Sequence, residues 1–410
     1  MKILRIGEYS FNYGGGSTRR EYNVLKYLAK KLDITFIPLY NFICSEEEAK
    51  DLEEYKKIGV HIPERVYDFI GTCKPTINPL KAIKREIMYI NNFVKEAKDS
   101  DLIMNNDNSY LQAVALSALK EKTQRPAISL VQLDLSYTHT FRGILKTLSG
   151  SSLLLSVPLY LLRYYKKRVL FSNLKRVDLL LGVSHSVIQS LVKLGLRNLP
   201  PYYVLKPANA FDERLLSYST LDKEDYAVFF ARLVPEKGIF DLPKIWKFVR
   251  EELPNAKLII LGRFFNDFVK RKFLSMIKND PTIEYRGFVT RDELYKIVSK
   301  AKVTIYPSYF DAFPLATIES LALKTTIVGY DIPALREFYS QLNAVRLVKP
   351  KNYKAMASEI VKLLKMKTED YKAIFDEKYE EFIKLHSSWE NVAEEEYKAI
   401  REFLEKKGRL

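Results

Sequence analysis

Short apolar runs alternate with amphipathic stretches from one end of the chain to the other. In the first half, the runs that favour β-strands lie at 2–6, 34–38, 101–105, 127–131 and 178–183. Helical periodicity is clearest between them, at 17–31, 80–97 and 109–120. Strands that alternate with helices predict parallel sheets covered by helices on both faces.

The second half repeats this alternation. Its apolar runs lie at 227–230, 257–261, 283–288, 302–307, 325–329 and 344–348. A chain of 410 residues is too long for one ordinary domain and fits two α/β, doubly wound, Rossmann-like domains of roughly 200 residues. The prolines near 200–207 mark the break, so we expect an N-terminal domain at 1–203, a C-terminal domain at 204–388 and a last helix within 389–410.

A basic pair follows the first apolar run of the second half. In ARLVPEKG, Arg232 and Lys237 stand between a predicted strand and a predicted helix. Helix N-termini favour anions, and two cations at the same place suit a diphosphate or polyphosphate. The plainer alternative is a pair of solvated loop charges.

Two carboxylates follow a later strand. In YPSYFDAFPLATIESLAL, Asp311 and Glu319 are eight positions apart, and Pro314 is placed to open a helix. Glu319 would then lie about a turn and a half inside that helix, on the side of the strand mouth that carries Arg232. One carboxylate could accept hydrogen bonds from a ribose and the other from a second polyol.

These segments together make the chain resemble family 4 of the retaining GT-B glycosyltransferases, also described as glycosyl transferases group 1. The resemblance covers most of the C-terminal half and is thinner in the N-terminal half. It implies two Rossmann-like domains facing a central cleft, with the C-terminal helix crossing back to the N-terminal domain. The segments that carry it are ARLVPEKG, KLIILG at 257–262, YRGFVTRDEL at 285–294, residues 301–323 and SSWE at 387–390, with Gly14-Gly15-Gly16 and 179–195 in the first half.

The resemblance also implies an activity and a set of site residues. The activity is transfer of a hexose-type sugar, with retention, from a UDP- or GDP-sugar to a hydroxyl acceptor, without a metal or cofactor. The implied catalytic residues are Arg232, Lys237 and Asp311. Further implied donor-binding residues are Gly15, Gly16, Gly262, Phe288, Ser308, Phe313, Pro314, Leu315 and Glu319; those on the acceptor side are Gln132, Asp134 and His139.

Three positions depart from the family pattern. Asp311 is one methylene shorter than the usual first Glu, which puts its contact with the donor sugar in doubt. Gln132 stands nearest the place of a His common in the family, and His139 is a possible substitute. Lys324 stands where a Gly usually follows the helix, a change that bears on a C-cap rather than on chemistry.

The net charge of +16 calls for its own explanation. Residues 141–177 contain eight Lys and Arg residues, no acidic residue and the apolar run SLLLSVPLYLLRYY. Such a stretch could attach to an anionic membrane, which suits a lipid or lipid-linked glycan acceptor. It could equally be a long core helix with a basic outer face. No nucleic-acid motif accompanies the charge, so nucleic acid is disfavoured as a partner.

Other features set expectations about location and alternatives. The start of the chain lacks the long apolar h-region of a signal peptide. Cys44 and Cys73 have neither the close spacing nor the His neighbours of a zinc site, so we expect free thiols in a reducing compartment. We therefore expect a cytoplasmic protein, peripheral to the membrane if 141–177 binds lipid. Asp99-Ser100-Asp101 is expected to be an ordinary helix-to-strand loop. The alternative functions are a nucleotide-sugar epimerase or hydrolase, and a catalytically inactive scaffold that binds membrane or nucleic acid.

Overall fold

The computed structural model describes residues 1–9, 16–43, 45–74, 76–135 and 153–409. These residues divide into two compact units. The first holds the described residues up to Asn209 together with those from Trp389 onward, and the second runs from Ala210 to Ser388. Each unit is built on one six-stranded sheet, and all strand pairs in both sheets are parallel.

The first sheet confirms all five strands predicted for this half. Its order is β2-β1-β3-β4-β5-β6. The sixth strand was not predicted because it has three residues and directly follows two prolines. The strands are β1 (Lys2–Gly7), β2 (Asp33–Pro38), β3 (Leu102–Asn105), β4 (Ala127–Val131), β5 (Leu179–Gly182) and β6 (Tyr202–Val204).

Helices separate these strands as the periodicity predicted. The Ser184 hydroxyl caps the helix after β5 by accepting the Val187 N–H at 3.2 Å. Asp99-Ser100-Asp101 joins a helix to β3, as expected. The helices are α1 (Gly16–Leu28), α2 (Glu46–Lys57), α3 (Pro79–Ile90), α4 (Val94–Lys98), α5 (Tyr110–Thr123), α6 (Leu153–Leu174) and α7 (His185–Lys193).

The second sheet confirms the six strands predicted for its half. Its order is β12-β11-β10-β7-β8-β9, so β10 and β7 are central neighbours. Every residue of β10 is buried, which explains its nearly continuous apolar sequence. The strands are β7 (Glu224–Phe230), β8 (Lys257–Leu261), β9 (Ile283–Gly287), β10 (Ala301–Tyr306), β11 (Thr326–Tyr330) and β12 (Val345–Val348).

Eight helices of the described second unit cover this sheet. Lys324, just after the fourth of them, adopts φ of 55°, the left-handed conformation that a glycine would take more easily. The sequence difference therefore lies at a C-cap, as expected. The helices are α8 (Leu242–Glu252), α9 (Asp267–Ile277), α10 (Arg291–Lys300), α11 (Leu315–Ala322), α12 (Pro333–Tyr339), α13 (Tyr353–Leu364), α14 (Thr368–Ala373) and α15 (Glu377–His386).

The last helix, α16 (Trp389–Lys406), belongs to the first unit. Its Glu396 is completely buried and pairs with two arginines, Arg5 Nη1 on β1 at 2.6 Å and Arg20 Nη2 on α1 at 2.7 Å. Arg5 also donates from Nε to Glu21 at 2.9 Å. Burial opposes ionisation of Glu396, yet the two arginines lower its pKa, so the carboxylate is charged. This network fixes α16 to the start of the chain.

One expectation about cysteines is wrong. Cys73 is disulfide-bonded, not a free thiol, while Cys44 lies outside the described residues. The cysteines therefore give no argument for a reducing compartment. None of the helices that the structure describes is both long and apolar enough to cross a bilayer.

Candidate functional site

The turn that carries Lys237 is fixed by a glycine. After β7, a single 3₁₀ turn spans Pro235–Lys237 and ends at Gly238, whose φ is 75°. A Cβ at Gly238 would lie 2.1 Å from the carbonyl oxygen of Pro307, which directly follows β10. Only glycine permits this approach, and it brings Lys237 to the loop that carries Asp311.

Lys237, Asp311 and Tyr306 form one compact polar group. The Lys237 ammonium and the Tyr306 hydroxyl both donate to Asp311 Oδ2, and Lys237 Nζ lies 3.2 Å from the Tyr306 hydroxyl oxygen. The Ala312 N–H donates to Asp311 Oδ1 at 2.9 Å. Burial, followed by the Asp311 charge, raises the pKa of Tyr306 well above its usual range, so the hydroxyl stays a donor.

The short side chain of Asp311 thus contacts Lys237 directly. Both side chains keep partial exposure, 19% for Lys237 and 16% for Asp311, so an incoming ligand can reach them. Sequence reasoning named Lys237 and Asp311 but not their contact, and it missed Tyr306, which looked like one more aromatic residue at a strand end.

Arg232 lies exposed on the same loop. It has no ion pair within the described part of the chain. Its neighbour Leu233 donates to the Arg263 carbonyl oxygen at 2.9 Å, and the Arg263 guanidinium lies 5.0 Å from the centre of the Phe288 ring. At Gly262, a Cβ would lie 2.0 Å from the Ala231 carbonyl oxygen. The loops of Arg232, Gly262 and Phe288 therefore lie side by side.

The remaining predicted donor residues surround the start of α11. Pro314 is its N-cap and Leu315 its first residue, while Glu319 is 8% exposed inside it. The buried Ser308 hydroxyl donates to the Phe310 carbonyl oxygen at 2.9 Å and shapes the loop. Phe313 instead packs its ring against an aromatic cluster of Phe338, Tyr339 and His386. His386 is therefore a buried packing residue.

The helix that follows Lys237 is a poorer anion site than the sequence suggested. Asp241, 5% exposed, stands at its start, and its carboxylate accepts hydroxyl hydrogen bonds from Tyr309, Tyr330 and Tyr353. A buried carboxylate there disfavours a second anion at the α8 N-terminus. The N-terminus of α11, three residues beyond Asp311, carries no such acid at its N-cap.

On the first unit, Gln132 is held by the loop after β3. Its backbone N–H donates to Asn108 Oδ1 at 3.1 Å, and its side-chain amide donates to the Asn106 carbonyl oxygen. Gln132 thus fixes the loop after β3. Asp134 follows two residues later, while Gly15 and His139 lie outside the described residues and Gly16 begins α1.

Two carboxyl groups at the same sheet edge were missed by sequence reasoning. Glu8 directly follows β1, and Asp107 follows β3, the neighbouring strand. The Asn106 side chain ties the two loops by donating to the Glu8 carbonyl oxygen at 3.0 Å. Burial, with the Asp107 charge as a second cause, raises the pKa of Glu8. Only strand order reveals this proximity, because the two residues are 99 positions apart.

Metal binding finds no support in the described side chains. Among the residues that the structure describes, no group of three His, Cys, Asp or Glu residues is placed to hold a metal ion. The described side chains at the second-unit site offer two cations, a hydroxyl and two carboxylates.

The family match lies within the second unit. Residues 216–384, less than half of the chain, match the family model of the glycosyl transferases group 1. An uncharacterized glycosyltransferase of Methanocaldococcus jannaschii is 27% identical over 201 residues, which cover 47% of this chain and 49% of the relative. The poly(glycerol-phosphate) alpha-glucosyltransferase of Bacillus subtilis is 23% identical over 301 residues, 68% of this chain and 43% of the relative. The chain thus spans at most about half the length of these curated relatives.

Solved structures match nearly the whole chain. HepE from Anabaena, solved with UDP and glucose, has a TM-score of 0.71 at 14% identity and covers 98% of this chain and 100% of its own. HepE with UDP-glucose has a TM-score of 0.62 at 16% identity and covers both chains fully. Sucrose-phosphate synthase from Thermosynechococcus elongatus has a TM-score of 0.71 at 12% identity and covers 99% of this chain and 100% of its own. The chain therefore has the GT-B fold, and its second unit carries the sequence pattern of the glycosyl transferases group 1.

Proposed function

We propose that the chain is a retaining glycosyltransferase of family 4 that moves a sugar from a nucleotide-sugar donor to a hydroxyl acceptor. The observation that carries the proposal is the fixed position of Lys237 beside Asp311, with exposed Arg232 on the same loop. The GT-B fold and the group 1 pattern of the second unit support it. A solvated pair of loop charges would not need Gly238, next to Lys237, to approach the Pro307 carbonyl oxygen so closely.

The proposed chemistry is a displacement on one face of the donor sugar. The bond between the anomeric carbon and the diphosphate oxygen breaks, and the acceptor hydroxyl oxygen bonds to the same face of that carbon. The hydroxyl proton passes to the departing diphosphate. Arg232 and Lys237 stabilise the charge that develops on the diphosphate, the role in which fixed cations contribute most. The two cations make a metal unnecessary in this mechanism, and it uses no cofactor.

The donor we propose is a UDP- or GDP-sugar. HepE, of the same fold, was solved with UDP and with UDP-glucose, which favours the uridine nucleotide for this chain. In this proposal Glu319, on α11, accepts the ribose hydroxyls, and Asp311 contacts the sugar while it holds Lys237. Gly15, Gly16, Gly262, Phe288, Ser308, Phe313, Pro314 and Leu315 complete the proposed donor set.

The first unit is proposed to bind the acceptor, a glycan or lipid-linked glycan. Its candidate residues remain Gln132, Asp134 and His139, and we add Glu8 and Asp107, which follow β1 and β3 at the sheet edge where Gln132 follows β4. We propose that the protein acts at the cytoplasmic face of an anionic membrane.

Helix α6 supplies the observation behind the membrane proposal. Val157, Leu161 and Tyr164 recur at helical spacing on one face and are 49%, 59% and 40% exposed. Arg168 and Lys175 continue the exposed surface with positive charge. Toward the end of the helix Leu170, Phe171 and Leu174 are buried, so the exposed apolar side chains described on α6 lie before Arg168. Apolar side chains flanked by cations suit an anionic lipid surface.

The test is nucleotide release from UDP-, GDP- and ADP-sugars, with and without glycan acceptors and vesicles. We expect release from one donor class that requires an acceptor, with retained anomeric configuration in the product by NMR. Arg232→Ala and Lys237→Ala should each reduce kcat by about 10²–10³-fold, the loss seen when one donor to a developing oxyanion is removed. Glu319→Ala should weaken donor binding.

The matched control is Lys247→Ala, an exposed lysine on α8 of the same unit, which should retain wild-type turnover. An inverted product would exclude the retaining mechanism. Release that is equally fast without an acceptor would establish a hydrolase, and absence of release by folded protein would indicate a binding scaffold. The family model and the relatives favour neither of these alternatives, nor an epimerase.

A further inference from the structure

Asp241 joins three elements of the second unit at one buried carboxylate. Its Oδ2 accepts the hydroxyls of Tyr309 and of Tyr330, the latter at 2.8 Å, and its Oδ1 accepts the Tyr353 hydroxyl at 3.0 Å. Tyr309 lies in the loop after β10, Tyr330 ends β11 and Tyr353 begins α13. A carboxylate that is only 5% exposed needs such donors to offset its lost hydration.

Tyr309 connects this carboxylate to the catalytic candidates. Tyr309 lies two residues before Asp311, and Asp241 lies four residues after Lys237. The Tyr309 backbone N–H donates to the carbonyl oxygen of Glu236, the residue before Lys237, at 3.0 Å. The Tyr309 backbone and hydroxyl therefore join the Lys237 turn to the Asp311 loop at two separate points.

We propose that Asp241 is a positioning residue, which acts through the Tyr309 hydroxyl to hold Lys237 and Asp311 at their working separation. This inference rests on the function proposed above. A displacement of about 1 Å in a group that acts on the transition state can cost about 100-fold in rate. Neither Asp241 nor Tyr309 needs to touch the donor for this effect.

The state of the hydroxyls agrees with this role. Burial, followed by the Asp241 charge, raises the pKa of Tyr353 to about 12 and that of Tyr330 further. The two hydroxyls therefore remain protonated donors across the range in which enzymes are assayed. The titratable groups that contact Asp241 include the neutral hydroxyls of Tyr309, Tyr330 and Tyr353 and the ammonium of Lys244, whose Nζ lies 4.0 Å from Oδ1.

The test compares Tyr309→Phe with Tyr330→Phe. Both variants remove one hydroxyl that donates to the same oxygen, but only Tyr309 belongs to the Asp311 loop. We expect Tyr309→Phe to lower kcat by about tenfold or more with little change in the donor KM, because an interaction made in the transition state is lost. Tyr330→Phe, at a fully buried position, should lose at least as much thermal stability and keep kcat within about twofold. Asp241→Asn should behave like Tyr309→Phe.

Crystal structures of the two variants provide a readout that does not depend on turnover. The Lys237–Asp311 ion pair should be lengthened or broken in Tyr309→Phe and intact in Tyr330→Phe. An intact pair in Tyr309→Phe would overturn the inference, as would equal kcat losses in both variants or losses that follow thermal stability. A broken pair in a protein whose wild type transfers no sugar would instead support the positioning role and reject the proposed function.

Discussion

Among single residues, Asp311 carries a negative charge whose contribution to kcat/KM can be measured separately. Its carboxylate receives both Lys237 and Tyr306, so Asp311→Asn keeps the shape of the side chain but removes the charge that holds the ammonium. Hydrogen bonds to charged groups contribute about 1.5–3 kcal/mol, so we expect kcat/KM to fall by roughly 10–150-fold. Steady-state kinetics measure this fall. The ion pair is only 16–19% exposed, so we also expect the melting temperature to fall, and the kinetics are measured well below it.

The control for this variant is Asp331→Asn, which removes a partly exposed carboxylate paired with Arg336 in the same unit. That control should keep wild-type kinetics. An Asp311→Asn enzyme with unchanged kcat/KM would show that Lys237 needs no fixed counter-charge.

Glu86 is a second residue with a measurable signature, in the pH dependence of stability. It is 1% exposed on α3 and accepts the Tyr40 N–H at 3.2 Å, and burial raises its pKa from 4.5 to about 8. Between these values the folded state binds more protons than the unfolded state, so stability falls as pH rises. The tyrosines whose pKa this group raises, Tyr89 and Tyr110, remain neutral in that window.

Glu86→Gln keeps the accepting oxygen but cannot ionise. We therefore expect the variant to gain stability relative to wild type between pH 5 and pH 8, by about 1.4 kcal/mol for each unit of pKa shift removed. Chemical denaturation at both pH values measures the difference. Glu64→Gln, at an exposed site of the same unit, should show none. A Glu86→Gln difference that is constant with pH would contradict the assignment.

Among the elements, α16 depends on one buried acid for its place in the first unit. Glu396→Ala would leave Arg5 and Arg20 buried without a shared counter-charge, and breaking such a pair costs about 3–5 kcal/mol. Glu405→Ala on the same helix removes an exposed partner of Arg401 and should cost less than about 1 kcal/mol.

The fluorescence of Trp389, at the start of α16, can report this loss in a Trp246→Phe background, because the chain has two tryptophans and the other lies in the second unit. The denaturation midpoint of the first unit should then fall for Glu396→Ala and remain nearly unchanged for Glu405→Ala. Equal midpoints would mean that apolar packing alone holds the helix.

Strands and helices could be predicted from the sequence because buried parallel strands are short apolar runs and the covering helices keep a 3.6-residue period. The exception, β6, has three residues after two prolines and offers too little pattern. Site residues could be predicted only where they belong to a recognisable sequence motif. The ARLVPEKG motif identified Lys237, whereas the Asp241–Tyr309 contact spans 68 positions and depends on strand order. The proximity of Glu8 and Asp107 also depends on strand order and could not be predicted from the sequence.

At the scale of the whole molecule, the net charge of +16 includes a cluster of Lys and Arg residues at 141–177, which α6 partly covers. Two explanations were open for the basic stretch, a membrane contact and a core helix with a solvated face. The described part of α6 has a feature expected of each, because Leu170, Phe171 and Leu174 are buried while Val157 and Leu161 are exposed. The membrane proposal relates those exposed apolar side chains to the positive charge, since an anionic lipid surface attracts both.

The resulting prediction is that the protein sediments with anionic vesicles, less so with neutral ones, and that added salt weakens the association. Leu161→Ser should reduce the partition coefficient by roughly tenfold, because insertion of a leucine contributes up to about 1.5–3 kcal/mol when its burial is complete. Val192→Ser changes an equally exposed apolar residue on α7 and should have no effect. Charge alone would give salt-sensitive binding that both variants retain, so loss of binding confined to Leu161→Ser is the result that separates insertion of the α6 face from simple electrostatic attraction.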